Sequence, residues 1–177
     1  VKASGGSGYS DLSGSAGTVY WKYTGSSPGS VDLGGDLVID NDSNDAGDIS
    51  TFLLNHNSLY GVYNSIAVIG QAHLNIQTNG FPVAMSSLVG DSTGSVYLTN
   101  GTVLKGLNSS TTTGKLNIAA VNVYVRDATI DTSEIDISDQ GIFHFSELGS
   151  SLGSPQATYT LDTLQVLDGG EAVVSYQ

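Results

Sequence analysis

The chain has 177 residues, 23 glycines, no cysteine, and 17 acidic against 5 basic residues, for a formal net charge of −12. Disulfides, thiolate metal sites and cysteine nucleophiles are excluded. The five bases (Lys2, Lys22, Lys105, Lys115, Arg126) are scattered, so no cluster exists to neutralise nucleic-acid phosphates or to seat on an anionic membrane, and no apolar run approaches the roughly 20 residues of a membrane helix.

Residues 1–17, VKASGGSGYSDLSGSAG, are Gly/Ser-rich with little apolar content and are expected to form a loop or linker. The remainder, 18–177, is expected to be one all-β domain. GTVYWKY (17–23) is the first strand, SSPGS (26–30) a turn, and GGDLVID (34–40) the next strand. The stretch 40–70 breaks the rhythm: DNDSNDAGD (40–48) is an acidic loop, and 50–70 carries more apolar residues than one rung of a repeat needs, so 40–70 is expected to be an irregular rung, a complete one with a longer excursion. Beyond it, AHLNIQTNG, GSVYLTNG, GKLNIAAV, SEIDISDQG and LDTLQVLDGG each give one strand. Second strands follow at Val103-Leu104, Val121–Val125, Ile142–Phe145 and Ala172–Val174, with a third short element at Ala128-Thr129-Ile130. The segment 146–158 is expected to be a loop inserted at a corner. The repeat-like start and end, without a charged, apolar, cleavable leader, suggest a segment of something longer.

An apolar–x–apolar pattern recurs at Val19/Trp21, Leu37/Ile39, Leu74/Ile76, Val96/Leu98, Leu116/Ile118, Ile135/Ile137 and Leu164/Val166. Alternation of this kind marks a strand with one buried face. The last residues of successive copies lie 18, 37, 22, 20, 19 and 29 positions apart, which indicates a supersecondary unit of about 20 residues. Two or three short strands per unit describe one rung of a parallel β-helix, or β-solenoid. A β-sandwich is the alternative, since it also offers many short strands. In the solenoid reading the five pairs from Leu74/Ile76 to Leu164/Val166 stack inward, while Asn75, Tyr97, Asn117, Asp136 and Gln165 point outward, as does Tyr20.

The segments GSAGTVYWKY, GGDLVIDND, AHLNIQTNG and GSVYLTNG resemble rungs of the right-handed parallel β-helix found in large repetitive microbial surface and adhesin-type proteins. The resemblance covers most of the chain. It implies an extracellular or cell-surface, rod-like module with a structural or adhesive role, and it carries no catalytic residues.

Candidate sites follow from local chemistry. Asp40, Asp42, Asn44 and Asp48 occupy positions 1, 3, 5 and 9 of a calcium-loop spacing, and calcium takes 6–8 oxygen ligands. Asp45 and Thr51 stand where an EF-hand has Gly and Glu; an ordinary Asx-turn loop has the same composition. Glu134 and Asp136 share one strand face, and paired carboxylates can perform glycoside hydrolysis, although a solvated acidic face looks the same. Tyr20, Trp21, Tyr23, Tyr97, Tyr124 and Tyr176 could form a glycan-stacking strip or simply reflect strand propensity. His56, His73 and His144 lack metal-ligand spacing, and there is no nucleophile elbow or phosphate-binding loop. Glycosylation sequons occur at Asn41, Asn100 and Asn108.

The expected function is therefore a non-catalytic extracellular structural or adhesive module, a rung stack from a longer surface or fibre-forming protein. Its expected partners are further rungs or identical subunits end to end, with glycans as a possible ligand and calcium as a possible cofactor. Neither nucleic acid nor membrane insertion is expected. The alternative is a polysaccharide-binding or polysaccharide-cleaving β-helix protein.

Overall fold

A computed structural model describes residues 16–22, 34–43, 50–54, 61–107, 114–145 and 157–174. Among these, every regular element is a strand. In chain order they are β1 (Gly17–Lys22), β2 (Gly35–Asp40), β3 (Thr51–Leu54), β4 (Gly61–Ile69), β5 (His73–Gln77), β6 (Pro82–Gly90), β7 (Ser95–Thr99) and β8 (Thr102–Gly106). There follow β9 (Lys115–Ala119), β10 (Asn122–Val125), β11 (Ala128–Asp131), β12 (Glu134–Ser138), β13 (Ile142–Phe145), β14 (Thr158–Thr160), β15 (Thr163–Val166) and β16 (Glu171–Val174).

Two sheets hold all of them. The first runs β1-β2-β4-β6-β8-β11-β14 and branches at β6 into β9-β12-β15; the second runs β3-β5-β7-β10-β13-β16. Every pairing is parallel except β1 on β2. From β7 onward each strand pairs with the strand three elements later: β7 with β10, β8 with β11, and β9 with β12. The branch has a local cause. In β6, Pro82–Met85 pairs with β8 while Ser87–Val89 pairs with β9, so one nine-residue strand serves two ladders.

Register aligns like with like. Leu37, Ile66, Leu88, Ile118, Ile137 and Val166 stand directly one above the next. The middle four of these are fully buried, and Leu37 is nearly so. A second column runs Thr51, Leu74, Val96, Val123, Phe143 and Ala172, and a third Gly61, Val83, Leu104, Ile130 and Tyr159. These columns supply half of the buried residues of a single core cluster. Burial is shared along the columns, each strand covering the inward residues of the next.

The corners are built by short polar side chains. Asp91 accepts the Gly70 amide at 2.8 Å, and Asp127 accepts the Gly101 amide at 3.0 Å. Both glycines have positive φ, +61° and +66°, a conformation an L side chain rarely adopts. At Gly70 a Cβ would also strike the Asp40 carboxylate and the Asp42 amide. The buried Thr102 hydroxyl lies 2.6 Å from both the Ile76 and Thr99 carbonyls.

Several expectations need correction. The five apolar pairs do not form one inward stack. Leu74/Ile76 and Val96/Leu98 belong to the second sheet, whereas Leu116/Ile118, Ile135/Ile137 and Leu164/Val166 belong to the first. The pattern marks individual strands, and the even spacing across the switch reflects loop lengths. Leu164 and Val166 face inward by register but are 40% and 46% exposed, because among the described residues no strand pairs beyond β15. Val19-Tyr20-Trp21 is not a parallel copy either. Tyr20 lies opposite Leu37 and Thr18 opposite Ile39, and directly opposed residues share a face, so Tyr20 is on the inward side and Trp21 on the other. Strands β6 and β14 were not expected. Pro82 at the start of β6 weakens its strand signal, and β14 begins at Thr158, the last residue assigned to the 146–158 loop. Residues 1–15, most of the anticipated linker, lie outside the described residues.

Candidate functional site

Two columns of outward side chains carry the chain's chemistry. On the second sheet the register places Phe52, Asn75, Tyr97, Tyr124, His144 and Val173 in one line. The Tyr97 and Tyr124 rings stack at 5.1 Å and 14°, and Tyr124 and His144 at 4.2 Å and 11°. This spacing follows from strands about 4.8 Å apart. His73 meets Tyr97 edge-on at 6.0 Å, and the Arg126 guanidinium lies 4.8 Å from the Tyr97 ring centroid. Tyr124 therefore has both faces covered by neighbouring rings. This column is a ladder of stacked rings.

The expected aromatic strip is also divided. Tyr20 and Trp21 lie in the first sheet, Tyr97 and Tyr124 in the second, and Tyr23 and Tyr176 fall outside the described residues. Strand alternation alone places His73 and His144 outward, as found; the stacking could not be read from sequence because it depends on which strands are adjacent. His56 lies outside the described residues.

On the first sheet the outward column is Asp36, Ser65, Ser87, Asn117, Asp136 and Gln165. Glu134 and Asp136 do share a face, and Lys115 of the neighbouring strand contacts both. Its Nζ is 3.2 Å from Glu134 Oε1 and pairs with Asp136 Oδ2. Gln165 donates to Glu134 at 2.7 Å. The hydrogen bond that Lys115 donates to Asp136, with a smaller contribution from the one it donates to Glu134, holds its ammonium above its ordinary pKa. Lys105 pairs with Asp131 at 2.8 Å in the same cross-strand manner. These carboxylates are held by fixed positive partners, an arrangement suited to tying strands together.

Of the anticipated calcium ligands, Asp40 and Asp42 are described and Asn44 and Asp48 are not. Asp40 Oδ1 accepts the Asp42 amide at 2.7 Å, and Asp42 has φ of 54°. That is Asx-turn geometry. Among the described residues, no group of three or more His, Cys, Asp or Glu side chains is placed to hold a metal ion. The Asn41 sequon is poorly placed for modification, since Asn41 is buried, whereas Asn100 is exposed. The third sequon, at Asn108, lies outside the described residues.

The described residues thus define an all-β protein whose sheets are almost wholly parallel and whose outer columns are cross-strand ladders. The sequence matches no protein-family model, and comparison with curated proteins and with solved structures returns no match.

Proposed function

We propose that the parallel ladders close around the core as a β-solenoid, and that the protein is a non-catalytic extracellular structural or adhesive module. The observation that carries this reading is the six-level inward column from Leu37 to Val166, which is buried until its last member. At that last level Leu164, Val166, Leu167 and Val174 are all exposed. Apolar side chains in register with a core, on strands with free edges, are a template for further strands. The partners proposed are accordingly further rungs or identical subunits end to end.

Sedimentation over a wide concentration range tests this. The expected result is reversible association that is lost in a Val166→Lys, Val174→Lys double variant of unchanged fold. A monodisperse monomer at every concentration would count against self-association.

The polysaccharide-cleaving alternative needs carboxylates free to exchange protons with a sugar. The Lys115 contacts to Glu134 and Asp136 instead support the non-catalytic reading. Calcium at the acidic loop rests on the spacing of Asp40, Asp42, Asn44 and Asp48. A ligand bound only by the folded state raises its stability. The proposal predicts a higher melting temperature in calcium, reversed by EDTA; an unchanged melt ends it.

A further inference from the structure

The strand β1 extends one wall of the core without extending the others. It lies antiparallel on β2 and places Tyr20 beside Leu37 and Thr18 beside Ile39. On the second sheet the wall stops at β3, which among the described residues is the last strand on that side. The result is a bay of about 540 Å³ between β1 and β3. Its floor is the end of the core, including Leu37, Ile39 and Leu53, and its rim carries Thr18, Tyr20 and Tyr63. The Tyr20 and Tyr63 rings meet edge to face at 6.0 Å. Burial, with a smaller contribution from neighbouring Tyr20, holds the Tyr63 hydroxyl above its ordinary pKa, so it remains a neutral hydrogen-bond donor across the physiological range.

We infer that this bay binds an uncharged, mainly apolar small molecule bearing a hydroxyl or carbonyl group. Three features of the bay select that class. The volume falls within the roughly 300–1,000 Å³ of small-molecule sites, which are typically apolar with a few polar groups that fix orientation. Here those groups are hydroxyls, on tyrosine and threonine, which suit a neutral oxygen. Among the described residues no Lys, Arg, Asp or Glu lines the bay, so an ionised ligand would lose its hydration without gaining a counter-charge. Anions are further opposed by the chain's net charge of −12. The apolar residues proposed to receive further strands sit at the opposite end of the ladders, on β15 and β16.

The test is a fluorescence titration of the full chain with neutral N-phenyl-1-naphthylamine, in parallel with the anionic probe 8-anilino-1-naphthalenesulfonate. The expected result is saturable one-to-one binding of the neutral probe, at least tenfold tighter than the anionic one. Leu53→Trp, which fills the bay from its floor, should weaken binding tenfold or more. Thr18→Trp fills it from the exposed rim and keeps the test valid if the core change disturbs folding. Thr129→Trp, on the outward side of β11 in the middle of the ladders, should leave binding unchanged. Absence of saturable binding overturns the inference, as does equal affinity for both probes, loss of binding in Thr129→Trp, or indifference to both filling variants. Binding that disappears as the protein self-associates would assign the bay to a second copy and overturn it equally.

Discussion

Thr102 shows how much of this fold depends on single polar atoms. Its hydroxyl sits at a corner, is fully buried, and lies within 2.6 Å of two backbone carbonyls from adjacent levels. Thr102→Val keeps the shape and removes the donor. A buried carbonyl that loses its partner costs about 1–3 kcal/mol, and the urea midpoint should fall accordingly, with Thr102→Ser recovering most of it. Asp91 gives a pH prediction. Partial burial pushes its carboxyl up, but hydrogen bonds from the Thr93 hydroxyl and from the Gly70 and Thr93 amides outweigh that, leaving its pKa below the ordinary 3.8. A carboxylate with a depressed folded pKa contributes stability that is complete above the unfolded value and is lost as pH falls through the folded value. Acid unfolding curves should therefore show Asp91→Asn less stable than the parent above pH 3.8, with the two converging as the pH drops below it. The carboxylate is exposed, so the gap should be modest and should not depend on a buried charge.

The strands differ in what their side chains contribute, although their sequences look alike. Ile118 of β9 and Val166 of β15 stand in one column, yet one is fully buried and the other 46% exposed. Ile118→Ala should cost about 2–5 kcal/mol through lost burial and a residual cavity. Val166→Ala should stay within about 0.5 kcal/mol, as surface changes usually do. Chemical denaturation of the two variants separates a column with an interior from a uniformly exposed sheet. The most divergent element is β1. Alternation in GTVYWK makes it a strand, but nothing in those six residues indicates antiparallel pairing, and the register on β2 decides that Tyr20 rather than Trp21 faces the core side.

For the whole molecule, parallel ladders make the two ends unequal. At one end β1 turns antiparallel and leaves a bay; at the other, among the described residues, β14, β15 and β16 are the last strands of their ladders, with exposed Leu164, Val166 and Val174. The self-association proposed above should therefore respond to changes at β15 and β16. Substitutions in the middle of an outer column, such as Tyr124→Ala, should lower stability through lost ring stacking and leave the association state unchanged, as sedimentation of the folded variant can show. The acidic net charge opposes contact between copies, so added salt should strengthen association.

By itself the sequence determined that this protein is all-β, where most strands lie, and which face of each central strand is buried. Alternation at Leu74/Ile76 or Ile135/Ile137 is a local property, set by the two-residue repeat of an extended chain. It also placed Tyr97, His144 and Asp136 outward. Only the tertiary structure decided which strands are neighbours. Pairing depends on loop length and on bends such as the division of β6 between two ladders, and neither leaves a periodic trace. For the same reason the Tyr97–Tyr124–His144 stack, the Lys115 contacts to Glu134 and Asp136, and the bay beside β1 were not legible. Each joins residues that meet only when one level of the structure is laid on the next.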